Sequence, residues 1–274
     1  MATREDEDSA GPAVAAQDVS RPSIARVYDY LLGGTDNFDV DRGEAERMIR
    51  RAPSMPALVR ENRLFLSRAV GWLARQGIRQ FVDIGSGLPT ARNTHQVAQD
   101  GDPACRVVYA DNDPAVVARA QALLAGSGVA AVEADLRDPA AVLAAAARTG
   151  LFQRGQPVAV ILALVLHFLD FGTADAVAAE LRKSIVPGSY MVMSVSAGDE
   201  EASGTLNREY KAGTLYNHSP KQIAGFFGGL ELIGPGLVDA REWDPACGAA
   251  AAPSNRDDGR ILAGVGRKPV QPGG

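Results

Sequence analysis

The chain has 274 residues, 46% of them hydrophobic and 22% charged, with a formal net charge of −5. That size and balance suit a soluble globular protein with a sizeable core, built as one large domain or one domain with an appendage. The acidic balance argues against a protein that lives on nucleic-acid backbones, and two cysteines, Cys105 and Cys247, without metal-type spacing argue against a disulfide framework or a zinc site.

The N-terminus has acids, Ala, Gly and Pro where a signal peptide needs a basic start and an apolar run. The longest apolar stretch, 158–166, is far short of the roughly 20 residues of a membrane-spanning helix. The expectation is a cytoplasmic protein with no membrane contact.

Residues 1–20 are acidic, Ala-rich and without apolar periodicity, which predicts a disordered tail. The last residues, KPVQPGG, read as frayed in the same way. Ser23 is placed to cap a helix over 24–32, with Ile24, Val27, Tyr28, Leu31 and Leu32 on one side and Gly33-Gly34 as its stop. A polar loop, TDNFDVD, follows, then helices over 44–51 and 56–76. Residues 21–76 thus read as a helical unit without strands.

Beyond Gly77 the pattern is strand, turn, helix, repeated. Strands are expected over 80–84, 106–110, 130–134, 158–164 and 190–195, with helices over 90–99, 114–124, 139–148 and 173–183. A helix over 221–227 and strands over 230–233 and 260–265 complete the chain. Short continuous apolar strands alternating with helices imply an α/β fold, a doubly wound parallel sheet covered on both faces, over 77–268. Met191 and Met193 alternate in the fifth strand and read as core.

In such a sheet, ligands bind beyond the carboxyl ends of the strands. The first strand runs into Asp83-Ile84-Gly85-Ser86-Gly87-Leu88-Pro89-Thr90, where Gly85 and Gly87 allow a tight turn and close approach of a ligand. The helix behind this loop would offer unpaired N–H groups. Pro89 and Thr90 stand where a dinucleotide fingerprint has its third glycine. The second strand ends at Asp111-Asn112-Asp113-Pro114, about 20 residues on, where an acid suits ribose hydroxyls. Asp113, just before a proline, is the helix cap, which leaves Asp111 for the ribose. The third strand ends at Asp135-Leu136-Arg137-Asp138-Pro139. There Asp138 is the cap and Asp135 with Leu136 suits an adenine edge.

These residues resemble class I S-adenosylmethionine-dependent methyltransferases. More closely, the stretches RPSIARVYDYLLGGTDNF, ENRLFLSRAV, FVDIGSGLPTARNTH, VVYADNDP, EADLRDP, VILALVLHFL and FFGGLELIGPGLV resemble an actinobacterial S-adenosylmethionine-dependent methyltransferase family long classed as a domain of unknown function. The resemblance implies a Rossmann-like, seven-stranded sheet with its last strand antiparallel and an N-terminal helical lid over the cofactor. It places the glycine motif on Asp83, Gly85, Ser86 and Gly87, the ribose acid on Asp111, adenine contacts on Asp135 and Leu136, and the strand-four motif on 164–167. The basic residue that family members carry near His218 is absent.

Methyl transfer needs nucleophile and methyl held in line about 3–3.5 Å apart with water excluded, and a base only when the nucleophile must lose a proton. Arg26, Tyr28, Asp29, Gly33, Gly34 and Asn37 are expected to close over the methionine end of the cofactor, with Arg26 on its carboxylate and Asp29 or Asn37 on its ammonium. Arg63 is a similar candidate. Leu164 and Asn112 are expected cofactor neighbours. His167, after the fourth strand, is the candidate base. Tyr210, Tyr216 and His218 are candidates for a small-molecule acceptor, enclosed by the lid and residues 198–219, while His95 reads as a packing or capping residue. No metal-ligand spacing is found among the three histidines. A cofactor-binding regulator without catalysis fits the same residues, and a nicotinamide-dependent oxidoreductase is disfavoured by Pro89 and by Asp135-Leu136.

Overall fold

Residues of successive strands point alternately to two separate apolar layers, and that alternation organises the protein. The computed structural model describes residues 18–90, 92–123, 126, 128–198, 210–246 and 260–270. The acidic tail through residue 17, residues 199–209, Cys247 and the last four residues lie outside the described residues. Within them, β1 (Gln80–Ile84), β2 (Arg106–Asp111), β3 (Val129–Glu133), β4 (Ala159–Ala163) and β5 (Tyr190–Ala197) pair in parallel in the order β3-β2-β1-β4-β5. Strand β8 (Arg260–Arg267) then adds antiparallel to β5, and β6 (Glu231–Leu232) to β8. This gives the expected seven-strand path with an antiparallel last strand. A further two-residue strand, β7 (Val238–Asp239), pairs with β8 and is too short to leave a period in the sequence.

On one face, Val82, Ile84, Val160, Leu162, Met191 and Met193 meet α6 (Pro139–Arg148) and α7 (Phe171–Ser184) through Val142, Leu143, Val177 and Leu181. On the other, Phe81, Val107, Tyr109, Ile161 and Val192 meet α3 (Met55–Arg75) through Phe65, Leu66, Ala69, Val70 and Leu73. The remaining helices are α4 (Thr94–Gly101), α5 (Pro114–Leu123) and α8 (Pro220–Gly225). Both faces are therefore covered, as continuous apolar strands require. No helix among the described residues is long and apolar enough to cross a membrane.

Three local expectations shift. The helix expected at 90–99 starts only at Thr94: Asn93 is its N-cap in extended backbone, and the Asn93 Oδ1 accepts the Thr90 N–H. The fourth strand ends at Ala163, because Leu164 takes a left-handed φ of 54°. The helix expected from residue 44 starts at Asp39, with Asp41 Oδ2 accepting the Phe38 N–H and fixing its first turn.

Helices α1 (Ile24–Leu32) and α2 (Asp39–Arg51) form a small cluster of their own, in which Val27, Leu31 and Ala45 are buried with Val59 of α3 and Tyr210. Helix α3 thus serves both the sheet and this lid. Asp41, wholly buried, joins the lid together: its carboxylate accepts from Arg26 Nε at 2.7 Å, from the Ser23 N–H at 2.9 Å and from the Phe38 N–H. The Ser23 side chain makes no capping bond; Asp41 takes up its N–H instead. The Asp36 carboxylate pairs with both Nε and Nη2 of Arg119 on α5, tying the lid to the sheet domain. Replacing Asp41 by Ala strands the buried Arg26 charge. Urea unfolding of Asp41→Ala is expected to show a loss of about 3–5 kcal/mol.

Candidate cofactor and acceptor cavity

Between lid and sheet lies one cavity of about 1800 Å³, roughly twice the upper end of an ordinary ligand site, about 1,000 Å³. Its floor is the line of strand ends. The Gly85 and Ser86 N–H groups donate to the Ala110 carbonyl, which draws the glycine loop across the end of β2. A Cβ on Gly85 would lie 2.5 Å from Val165 Cγ2, and φ there is +66°. Gly87, at φ +64°, has open space around its missing Cβ.

Asp111 closes this loop. Its Oδ2 accepts the Gly87 N–H at 2.9 Å and its Oδ1 the Asp113 N–H at 3.0 Å. Burial raises its pKa, against the effect of those N–H groups. Asp83, at the end of β1, is also buried and accepts from Thr94 Oγ1 at 2.6 Å. Burial pushes its carboxyl up to about 6, against the Thr94 hydrogen bond and the Arg63 charge. Asp113 and Asp138 are helix caps, accepting from the Ala115 and Ala141 N–H groups.

At the third strand end, Asp135 is paired with Arg137, whose side-chain hydrogen bonds hold its pKa below the usual carboxylate range. Asp135, Leu136 and Asn112 all line the cavity. Leu164 lines it too, its N–H held by the Ser194 carbonyl at 2.9 Å and hydroxyl at 3.1 Å. A left-handed leucine is a strained residue kept in place by its surroundings.

The N-terminal candidates divide. Arg26 and Tyr28 line the cavity, but Arg26 is engaged by Asp41 and by the carbonyls of Asp18 and Arg21. Asp29, Gly33, Gly34 and Asn37 are not among the cavity-lining residues. Asn37 Nδ2 donates to Asp29 Oδ2 at 2.8 Å, and Gly34 is glycine because a Cβ would fall 2.0 Å from Asp29 Oδ1. These four brace the lid. The cation that faces the glycine loop is Arg63, which donates to Thr90 Oγ1 and the Arg92 carbonyl and stands beside Asn62, itself hydrogen-bonded to the Tyr28 hydroxyl. Sequence order hid this ranking, because Asp41, which neutralises Arg26, is fifteen residues away from it.

His167 lines the cavity with only 9% of its surface exposed. Its Nδ1 is buried without a hydrogen-bond partner among the described residues, and burial, with His218 nearby, drives its pKa down to about 3. Tyr210 and Tyr216 line the cavity; His218 does not. His218 lies behind, its Nε2 at 3.2 Å from the Leu166 carbonyl and its ring edge-on to Phe226. His95 is a packing residue, with both its N–H and Nδ1 on the Tyr109 hydroxyl. Among the described residues no three His, Cys, Asp or Glu side chains are grouped to hold a metal ion.

Among the N–H groups at the start of α4, that of His95 is taken by the Tyr109 hydroxyl, and the helix itself starts later than expected, at Thr94. A dinucleotide's diphosphate would meet two buried carboxylates there. Replacing Gly85 by Ala forces a Cβ into Val165, and Gly85→Ala is expected to cost about 1–3 kcal/mol in thermal unfolding and to displace the loop from the cavity floor.

A family model described as S-adenosyl methyltransferase matches residues 11–269. A crystal structure of a candidate methyltransferase from Thermobifida fusca superposes with a TM-score of 0.83 at 38% identity, covering 92% of this chain and 97% of that one. A DUF574 family protein from Streptomyces avermitilis gives 0.82 at 38% identity, covering 92% and 99%. Magnesium protoporphyrin IX methyltransferase from Synechocystis, with SAH bound, shares the fold at a TM-score of 0.50 and 14% identity, covering 88% and 93%. No curated protein matches the chain.

Proposed function

Since the chain belongs to the S-adenosyl methyltransferase family, we propose that the cavity holds S-adenosylmethionine against the strand ends and a small-molecule methyl acceptor against the lid. The observation that carries this reading is the pair of buried cavity carboxylates, Asp83 and Asp111, both raised in pKa by burial. Such a floor favours a ligand that brings positive charge and hydroxyl donors, and disfavours one that brings phosphates. When bound, the cofactor supplies a methyl group on a positively charged sulfur.

In this reading the chain's own residues bind, orient and exclude water. Asp111 accepts from the ribose hydroxyls while its other contacts keep the Gly87 N–H in place. Leu136, buried on the cavity wall, packs against the adenine, and Asp135 shares its carboxylate between Arg137 and the adenine edge. Arg63 takes the carboxylate of the methionine end, a role Arg26 is not free to fill, and Asp83 faces the ammonium. Tyr28 and Asn62 close this end from the lid. His167, neutral throughout the physiological range, orients the nucleophile by a hydrogen bond and does not store its proton. That arrangement suits an acceptor atom that is reactive without a strong base, such as a neutral amine or an already ionised oxygen.

The volume supports a small acceptor, since the space left beside one cofactor is itself of ligand size. Residues 21–76 act as the lid and 77–268 as the cofactor domain, with α3 shared between them.

Calorimetric titration with S-adenosylmethionine, S-adenosylhomocysteine and NAD tests the cofactor site: the two adenosyl ligands should bind and NAD should not, and the reverse would overturn the reading. Asp111→Asn keeps one acceptor for the Gly87 N–H but sets an NH2 against the Asp113 N–H, so it should weaken the adenosyl ligands by about 1–3 kcal/mol and lower the ligand-free melting temperature as well. A positively charged ligand favours ionised Asp83. Affinity for S-adenosylmethionine should therefore rise with pH through about 6 and level off above it. Asp83→Asn should flatten that dependence; a wild-type affinity independent of pH between 5 and 8 would remove Asp83 from the ammonium site.

A further inference from the structure

The lid half of the cavity has a chemistry of its own. Ile24, Met48, Met55, Phe168, Ala212 and Leu215 are among the partly buried members of the lid's apolar cluster, and these six line the cavity, as does Tyr28. The open sides of an apolar core therefore face the lid half of the cavity. The charged residues on this side stay out of the interior: Asp18, Arg21 and Arg51 are exposed at the rim, and Arg26 is paired with buried Asp41.

The segment that closes this half is pinned at both ends. The Lys211 N–H donates to Glu44 Oε1 at 2.9 Å, with Glu44 wholly buried, and the Tyr216 N–H donates to the His167 carbonyl at 2.8 Å. Between them Gly213 lets the backbone come close to α1, since a Cβ there would lie 2.9 Å from Ile24 Cδ1. His167 stands at the inner end, its ring 4.3 Å from that of Phe168. Aromatic rings and thioethers prefer aromatic partners, and the two methionines adapt their shape to such a guest.

Resting on the cofactor placement above, we propose that the methyl acceptor is an aromatic small molecule, apolar over its body, with its nucleophilic nitrogen or oxygen hydrogen-bonded to His167. The apolar half selects the body and His167 sets the direction of the reacting atom. Sugars and other polyols are disfavoured, because the six apolar side chains offer their hydroxyls no hydrogen-bond partners.

The test uses 2-naphthol as the aromatic probe and myo-inositol as a ring of similar size covered in hydroxyls. Each is titrated into the protein with and without saturating S-adenosylhomocysteine. The expected result is that 2-naphthol saturates one site in both states and myo-inositol binds in neither. Met48→Gln and Met55→Gln should each weaken 2-naphthol about fivefold or more while leaving S-adenosylhomocysteine affinity unchanged. If either variant fails to fold, Leu215→Asn, outside any helix or strand, carries the same expectation.

Binding of myo-inositol as tight as that of 2-naphthol would overturn the proposal. So would displacement of 2-naphthol by S-adenosylhomocysteine, or glutamine variants that bind 2-naphthol as the wild type does. Saturation by 2-naphthol in a protein that does not bind S-adenosylhomocysteine would support the apolar acceptor half and overturn the cofactor placement instead.

Discussion

A buried carboxylate at the end of the second strand sets the shape of the cofactor end. Asp111 is held by two backbone N–H groups, one from the glycine loop and one from the turn into α5. Through that side chain the two turns become one rigid floor, and the Asp111 carbonyl extends it by accepting the Ala134 N–H of the third strand end. Leaving a carboxylate in so dry a place is costly unless donors reach it. The loop supplies them, and in return the loop is fixed. Asp83 repeats the arrangement one strand away with the Thr94 hydroxyl. The site's electrostatic preference is thus a by-product of the bonds that shape it.

Much of this was legible in the sequence, for reasons that differ between residues. The sheet could be read because each strand is a short apolar run and two of the helix starts between strands are marked, by Asp113-Pro114 and Asp138-Pro139, where the aspartate does cap the helix. The glycine loop and Asp111 could be read because strand ends are where a doubly wound sheet exposes its chemistry. The lid could not be read so well. Its polar residues, Arg26, Asp29, Asn37 and Asp41, are close in sequence and all able to hold a ligand, and only their pairing decides which remain free. Asp41 removes Arg26, Asn37 removes Asp29, and Arg63 is left facing the glycine loop. Periodicity carries no information about such choices. Nor does it reveal that His218 lies behind His167, a fact set by where the chain returns after residue 209.

The two halves of the cavity differ in what holds their walls. The strand-end half is walled by backbone turns anchored on buried acids, where a displaced atom breaks hydrogen bonds. The lid half is walled by methionine, isoleucine, leucine and phenylalanine side chains that repack at little cost. In the proposed reading the rigid half recognises a constant molecule and the compliant half a variable one, a division well matched to a fold that serves many functions.

Helix α3 gives that division a limit. Its buried Phe65, Leu66 and Leu73 belong to the sheet, while its Val59 belongs to the lid. The covering element is therefore continuous with the foundation. A chain trimmed to begin at the first strand would not be an open version of the enzyme; it would lose α3, the largest part of the apolar layer on one side of the sheet. Most of α3 is thus committed to keeping the protein folded, and only its first turns, with Met55 and Val59, belong to the lid cluster.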